Sequence, residues 1–357
     1  MTVFALQKIS RMVLLCALGL GAFIWSQAQA QAQDMPAWRL ASEAGSLRLY
    51  RTALVAERPQ GALQAVASID RRLGFAGGTG PQTYRLPFSF SVSPQVGYDR
   101  NFNGGFGADT IRLGDTEFTV TPETRAQASV YAGVQLGISQ RFVWREGSAV
   151  SVNSSGTYRR AAQNGLEYRA LNIRACSENQ LGYLSAIDIC LNRALVYRDR
   201  STTRVTTASI SGSRIFVQPN SLTEATATLA REYRPGYSRN TASAQLRHLD
   251  RRRGLMTGRI FAGERVEGRS LATFSFDLGY GWLKNDRFYS LGLTHQRDTG
   301  GQVLGKRLHQ REYSINLTLP ALFGLRPSVG YTVLRHDQQQ FDTRYSVFAI
   351  SLPPLRF

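Results

Sequence analysis

The chain has 357 residues and a formal net charge of +18, from 43 lysines and arginines against 25 aspartates and glutamates. Beyond residue 25 no apolar run approaches the roughly 18 residues of a membrane-spanning helix, which excludes a helical membrane protein. A hydrophobic fraction of 43% is too high for a long disordered chain. A β-rich or mixed globular protein remains, or a membrane protein that spans with strands.

The first thirty residues have the order of a secretory signal peptide. Lys8 and Arg11 form a basic start, and an apolar run follows over residues 12–25. Small residues then alternate with glutamines up to Ala30 and beyond, which is typical of a cleavage site. We therefore predict a cleaved signal peptide over residues 1–30. A membrane anchor is the alternative, and the shortness of the apolar run disfavours it.

Residues 31–83 are predicted to form a small periplasmic segment or plug. After a break at 59–61, apolar residues recur at three- and four-residue spacing, which predicts a short amphipathic helix. Arg71 and Arg72 end this helix, where positive charge suits the helix dipole. An ordered tail without function is the alternative. The predicted apolar face comprises Ala62, Leu63, Val66, Ile69 and Leu73.

From Tyr84 onward the hydrophobic period changes to two, which indicates strands with one apolar face. The polar faces are rich in glycine, serine, threonine and glutamine, as a water-filled lumen requires. Aromatic residues gather near the row ends, where interfacial girdles of membrane barrels lie. In one row Ala272, Phe274, Phe276, Leu278, Tyr280 and Trp282 alternate with Thr273, Ser275, Asp277, Gly279 and Gly281.

Residues 84–357 are therefore predicted to form an all-β, transmembrane antiparallel β-barrel. Rows of ten or more residues suit tilted membrane strands, whereas a soluble secreted β protein, the alternative, would use shorter ones. About fifteen candidate strands are visible, but a barrel with both ends in the periplasm needs an even number. We expect about fourteen strands, with twelve or sixteen as alternatives. The ragged candidate at 111–120 is the one expected to lie outside the barrel.

The last row ends the chain on an aromatic residue. Tyr345, Val347, Leu355 and Phe357 share one parity. In this the sequence resembles bacterial outer-membrane β-barrel proteins, whose final strand carries an aromatic carboxyl-terminal residue that the barrel-assembly machinery reads. The resemblance covers residues 84–357. It implies the outer membrane of a Gram-negative bacterium, with outer-membrane lipid and glycolipid and the assembly machinery as partners.

Two shorter stretches are similar to the C-terminal barrel of the surface lipoprotein assembly modifier family. Residues 96–103 (VGYDRNFN) resemble that family's first barrel strand and turn, and residues 327–335 with 341–357 resemble its last hairpin. The resemblance implies a barrel that helps deliver a lipoprotein or other secreted client to the cell surface. The family usually carries a periplasmic helical-repeat domain before the barrel, whereas only residues 31–83 stand there and show no repeat.

Two cysteines remain after the signal peptide. Cys176 and Cys190 are fourteen positions apart, and in an exported chain a disulfide is their expected use. We expect the segment between them to be a long connection between strands. The histidines are far apart in sequence, so neither a metal site nor a cofactor is expected.

Arginine supplies most of the positive charge, because lysine occurs only at positions 8, 284 and 306. Arginines on the polar parity would face the lumen and favour anions, and arginines in external loops would bind glycolipid phosphates. Solvation, or pairing with acidic residues, is the alternative. The candidate lumen residues are Arg141, Asp277, Arg326 and Arg344.

These features favour transport or export across the outer membrane, by a barrel similar to the assembly modifiers and acting on a secreted or lipoprotein client. A passive porin-like channel with an arginine-biased, anion-preferring lumen is the alternative, and an outer-membrane hydrolase is a weaker one. His248 and Asp250 are the close His–Asp pair that could share a strand face. No catalytic fingerprint is present, so no catalytic residues are predicted. Export argues against nucleic-acid binding, which the pI of 10.4 would otherwise suggest.

Overall fold

The computed structural model describes residues 35–75, 83–105, 109–113, 116–198, 201–303, 306–320, 326–337, 342–351 and 355–356. The predicted signal peptide lies outside these ranges. Within them, no helix is both long enough and apolar enough to cross a membrane. Three helices come first along the chain: α1 (Ala37–Glu43), α2 (Leu47–Glu57) and α3 (Ala62–Leu73).

Strands occupy most of the remaining chain. In chain order they are β1 (Tyr84–Arg85), β2 (Ser89–Asp99), β3 (Thr110–Leu113), β4 (Thr116–Thr119), β5 (Ser129–Arg145), β6 (Ser148–Ala161), β7 (Glu167–Gln180), β8 (Ser185–Arg198), β9 (Ser201–Val217), β10 (Ser221–Arg234), β11 (Tyr237–Asp250), β12 (Gly254–Gly263), β13 (Leu271–Lys284), β14 (Arg287–Val303), β15 (Lys306–Thr318), β16 (Arg326–His336), β17 (Thr343–Ser351) and β18 (Leu355–Arg356).

Fourteen of these strands close into a ring. Strands β5 to β17 pair antiparallel in chain order, and β2 pairs with both β5 and β17, so that the sheet has no free edge. The predicted all-β antiparallel barrel of about fourteen strands is confirmed. The candidate strand at 111–120 forms a separate two-stranded hairpin, β3–β4, as expected.

The two faces of the wall have opposite chemistry. Large apolar side chains on the outer parity are exposed, such as Leu229 (64%), Ile260 (57%) and Leu278 (51%). Their neighbours along each strand point into the lumen and are mostly small or polar, because successive strand residues face opposite sides. An exposed apolar belt of this kind is stable only in contact with lipid.

The strand connections define two ends of the barrel. We call the end that carries the helices the helix end; it also holds the turns at 146–147, 181–184, 218–220, 251–253 and 285–286. The opposite end, called the loop end, holds the connections 100–128, 162–166, 235–236 and 264–270. The N-terminal side of β2 and the C-terminal side of β17 both lie at the helix end.

Residues 35–75, called the helical segment below, hold three helices where the sequence predicted one. The prediction placed Leu63 on the buried face of α3, but this side chain is 88% exposed, because Ala62, Ile69 and Leu73 are the residues that pack inward. Gly74 ends α3 in the left-handed region at φ +92°, which favours glycine. Its carbonyl oxygen accepts the N–H of Gly147 at 3.1 Å.

The helical segment packs inside the helix end. Apolar side chains of α1 and α2, led by Leu40 and Leu49, form a core with inward apolar residues of β9–β12. The inner wall is otherwise polar. It carries apolar residues at the helix end because the helices, and not water, cover it there. The wall residues of the core are Ile215, Leu222, Leu249 and Leu255.

Candidate functional site: the lumen and its helical plug

The barrel contains a polar cavity of about 730 Å³ along β5–β12. Small hydroxyl side chains dominate its wall on β9–β11. They offer donors and acceptors to water or solute while leaving the space between strands open. These residues are Thr207, Ser209, Ser211, Ser213, Thr226, Thr228, Thr241 and Ser243.

Glu224 fastens the helical segment to this wall. Its side chain is 1% exposed and forms ion pairs with Arg48 of α2 at 3.1 Å and Arg247 of β11 at 2.9 Å. Ser46 adds a hydrogen bond, donating its hydroxyl to the carboxylate at 3.0 Å. The same hydroxyl accepts the N–H of Leu49 and so caps α2. The helix start and the wall anchor therefore share one serine.

Further polar contacts fix the helical segment to widely separated strands. The Glu57 carboxylate accepts the backbone N–H groups of Ala37 and Trp38 and pairs with Arg251 at 3.0 Å. This caps α1 and ties α2 to the turn between β11 and β12. On the opposite side of the ring, Gly74 and Phe75 contact the turns at 146–147 and 181–184. The segment therefore spans the mouth at the helix end.

Charged side chains divide the inner face into a basic wall and an acidic wall. The acidic wall is β13–β15, with the inward carboxylates Asp277, Asp298 and Glu312. On the basic wall, β5–β12, inward arginines outnumber inward carboxylates. The electrostatic field across the lumen therefore favours anions near the basic wall. The basic wall carries Arg141, Arg159, Arg174, Arg198, Arg234, Arg239, Arg247 and Arg259 against Glu178, Asp188, Glu224 and Glu232.

Four arginines of the basic wall have no ion pair with a carboxylate in the described part of the chain: Arg159, Arg174, Arg198 and Arg259. Near the loop end, Arg159 and Arg198 flank the ring of Tyr168, with guanidinium carbons 5.4 and 5.5 Å from its centre. Deeper in the barrel, Arg174 donates to the two cysteine sulfur atoms at 3.0 and 3.2 Å. These positive groups remain available to a solute.

The start of the 100–128 connection turns inward at the loop end. Phe102 is buried and packs against Tyr131 of β5, with ring centres 5.7 Å apart. Tyr131 lies across Gly97 of β2, where a Cβ atom would come within 2.5 Å of the phenol oxygen. The glycine therefore makes room for the ring, and the connection narrows the loop end on this side.

The predicted lumen residues fall into three situations. Arg141 lines the cavity and pairs with Glu178 at 2.5 Å. Asp277 lies on the inner parity opposite Arg259 of the neighbouring strand. Arg326 lies on the inner parity at the helix end and pairs with Glu43 of α1 at 3.5 Å. Their part in solute passage stays a prediction.

The assignment of Arg344 to the lumen is wrong. On β17 the outer parity is that of Phe348, which pairs with the outward-facing Val329 and Tyr98. Arg344 shares this parity, lies opposite Val333 and is exposed. The sequence pattern misled because β17 carries apolar residues on both parities.

The cysteines lie on strands and not in a long connection, which corrects the expected location. Cys176 of β7 and Cys190 of β8 are direct cross-strand partners and form a disulfide. The segment between them is simply a hairpin, with its turn at 181–184. Both residues are on the inner face and line the cavity.

The C-terminal row does not continue as one strand. Strand β17 ends at Ser351, and β18 is a separate short element that contains Leu355 and pairs with β2. Val347 lies opposite Gly330 and Asp99 on the inner parity. Phe357 lies outside the described residues, so the assembly signal stays a prediction.

His248 and Asp250 lie on one face of β11 but make separate structural contacts. The Nδ1 atom of His248 forms a hydrogen bond with the hydroxyl of Thr223 at 2.8 Å. Asp250 accepts the N–H groups of Arg252 and Arg253 and closes the turn after its strand. Both side chains are on the outer parity, away from the cavity.

Sequence reasoning missed Glu224, although several contacts of the helical segment converge on this residue. A signal was available, since Glu224 is a carboxylate at one end of an inward run of small residues, Thr226, Thr228 and Ala230. Its partners could not be inferred, because Arg48 is 176 positions away and Arg247 is 23 positions away.

A closed antiparallel ring pairs each strand on both sides, and here the ring has an apolar outer belt and a polar, charged interior. Together with strand number, this defines the chain as a bacterial outer-membrane β-barrel protein.

Comparison with known proteins adds only distant structural likeness. No protein-family model matches the chain, and no curated relative does. Acinetobacter baumannii OccAB4 aligns at TM-score 0.41 and 8% identity over 76% of this chain and 99% of its own. Pseudomonas aeruginosa OccK2 (OpdF) aligns at 0.42 and 10% over 76% and 98%. The outer membrane protein OpdK from Pseudomonas aeruginosa aligns at 0.40 and 9% over 77% and 99%. Nothing found supports the assembly modifier resemblance.

Proposed function

We propose that this chain is a gated channel in the outer membrane of a Gram-negative bacterium. Small polar solutes would pass through the lumen, with anions following the basic wall, and the helical segment would act as the gate. The observation that carries the proposal is the Glu224 network, which holds α2 against the inner wall at the floor of a polar cavity. Unlike a covalent closure, ion pairs and hydrogen bonds can be exchanged for water.

The chemistry of the cavity supports a solute smaller than a polypeptide. Its wall of hydroxyl groups and paired charges suits hydrated solutes, whereas an unfolded client would need apolar surface. The apolar inward residues, such as Leu222 and Leu249, are already covered by the helices. A channel for small solutes therefore fits better than lipoprotein export.

The preference for anions follows from guanidinium groups whose charge is not paired with a carboxylate. These groups lie on the basic wall in the described part of the chain. Arg159, Arg174 and Arg259 have no carboxylate partner there. Guanidinium groups in this state bind carboxylate or phosphate oxygens by charge-assisted hydrogen bonds.

Planar-bilayer conductance tests the gate. Glu224→Gln removes the charge that holds Arg48 and Arg247, so we expect longer and more frequent openings than in the wild type. Glu312→Gln is the matched control, because it removes one lumen carboxylate on β15, away from the helical segment. Equal gating in both variants would refute a gate fastened at Glu224.

Reversal potentials in a salt gradient test the selectivity. We expect anion preference in Glu224→Gln, weakened when Arg159→Gln and Arg174→Gln are added. A folded barrel that stays silent in every variant and captures a polypeptide would instead favour export.

A further inference from the structure

Three arginines form a continuous row on the outer surface of the barrel. Arg297 of β14 lies directly opposite Arg311 of β15, and Arg311 lies directly opposite Arg335 of β16. All three are exposed and share the outer parity with the apolar belt, since the next outward residues on these strands are His295, Tyr313 and Val333. The three residues are called the arginine row below.

The arginine row stands out by the ion pairs that it lacks in the described part of the chain. Within the described residues none of its guanidinium groups forms an ion pair or a hydrogen bond. Directly opposed side chains of neighbouring strands lie about 5 Å apart at Cβ, and like charges placed so are destabilising. Arg344, opposite Val333, extends the positive surface diagonally from Arg335. An anion bound from outside the protein would relieve this repulsion.

The height of the row matches a membrane interface. At the helix-end side of the belt, Trp282 and Tyr289 stack with ring centres 5.5 Å apart. Eight residues separate Tyr289 from Arg297, or about 27 Å along the strand and roughly 21 Å along an axis tilted by about 40°. An apolar band of outer-membrane barrels is about 25 Å tall, so the backbone of the arginine row lies near the edge of this band, from which long arginine side chains reach the headgroups.

The row lies on the side of the outer leaflet. Outer-membrane barrels have short turns in the periplasm and longer loops outside. Here the longest connection, 100–128, is at the loop end, and so is the arginine row, while both chain ends leave from the helix end.

We propose that Arg297, Arg311 and Arg335 bind the phosphate groups of a phosphorylated glycolipid in the outer leaflet. Several adjacent guanidinium forks on one flat face suit a headgroup that carries more than one phosphate, and the apolar belt below accepts its acyl chains. The proposal does not depend on channel activity.

Binding of lipid A with two phosphates to the refolded full chain in zwitterionic detergent tests this proposal. The row variant is Arg297→Gln, Arg311→Gln and Arg335→Gln. The control variant, Arg160→Gln, Arg193→Gln and Arg231→Gln, removes the same charge from exposed outward arginines on β6, β8 and β10. Those three have no arginine as a cross-strand partner. A heat-dependent gel shift checks that each variant is folded.

We expect the row variant to raise the Kd at least about tenfold and the control variant less than about twofold. Dephosphorylated lipid A should bind all three proteins equally weakly. An equal loss in the two variants would overturn the proposal, because binding would then follow net charge alone. Displacement by millimolar inorganic phosphate would also overturn it, since free phosphate would then be the ligand. Should the row variant misfold, Arg311→Gln alone provides the same comparison at the centre of the row.

Discussion

Arginines on the two faces of the barrel wall meet opposite surroundings. Inside, Arg48 and Arg247 converge on the buried Glu224, and Arg239 pairs with Glu232 at 2.8 Å. Outside, Arg297 and Arg311 face each other, and neither pairs with a carboxylate of the described residues. These three inner arginines pair with carboxylates of the fold itself, whereas the arginine row, as proposed, pairs with phosphates of the membrane. One residue type thus attaches the helical segment on the inner face and, as proposed, binds glycolipid phosphate on the outer face.

The largest effect should come from removing the inner counter-charge. Glu224→Gln leaves two arginines in a buried site without compensation, and breaking such a buried pair costs about 3–5 kcal/mol. Urea unfolding in lipid vesicles should show this loss, with early protease cleavage in the helical segment. Glu312→Gln, a half-buried carboxylate of the acidic wall, should lose less than about 1 kcal/mol. Similar losses in both variants would mean that Glu224 is no special anchor.

Removing the disulfide measures how much this covalent bond contributes to the stability of the barrel. Replacing both Cys176 and Cys190 by serine opens a loop of about 15 residues, for which chain entropy predicts at most about 3 kcal/mol. We expect less than this limit, because the β7–β8 hairpin already holds the two strands in register. The midpoint of urea unfolding, with and without reductant for the wild type, measures the difference. A loss above the limit would indicate that the arginine contacts to sulfur also matter.

Replacing a single arginine should change the stability of the barrel in opposite directions on the two faces. Arg247→Gln leaves Glu224 with one arginine and should destabilise the barrel by about 1–3 kcal/mol. Arg311→Gln relieves repulsion in the middle of the arginine row and should stabilise it by about 0.2–1 kcal/mol in uncharged detergent. In the presence of lipid A, Arg311→Gln should instead destabilise the barrel. If both substitutions destabilise the protein without lipid, the contrast between the faces is wrong.

The smallest effect concerns Glu264 in the connection between β12 and β13. Asn240 donates its backbone N–H at 2.7 Å and its side-chain amide at 2.8 Å, which lowers the pKa of this carboxyl from its ordinary value of 4.5. Because the folded pKa is the lower one, ionised Glu264 stabilises the fold above pH 4.5, and this is lost as the pH falls through the folded pKa. As the pH falls below 4.5, the wild type should lose more thermal stability than Glu264→Gln. Parallel losses would contradict the role of Asn240.

The barrel could be predicted because its signal is local. Alternation of apolar and polar residues depends only on neighbours in sequence, and it placed Asp277 and the β13 row on the correct faces. Where both parities are apolar, as around Phe348 and Val347, the pattern does not show which side of the strand faces the lumen. Only the cross-strand register shows it. The wrong assignment of Arg344 follows from this.

The plug site could not be predicted in the same way. The contact of Arg48 with Glu224 joins residues that the sequence separates by six of the fourteen barrel strands, and charge type alone does not select among the many arginines. The two shorter helices were also missed, because α1 and α2 are stabilised by packing on the wall more than by a clear apolar face of their own. Tertiary context therefore decided the functional part of the fold.

The seam between β2 and β17 has a consequence for the order of assembly. It joins the two ends of the barrel sequence, and its register runs only from Val347 opposite Asp99 to Ser351 opposite Gln95, with β18 adding a short extension. Every other junction of the ring except β2–β5 is a hairpin between consecutive strands. The core that holds the helices lies on β9–β12, far from this seam. The helical segment can therefore dock onto a sheet that is still open. When the seam between β2 and β17 then closes, the barrel encloses a helical segment that is already in place.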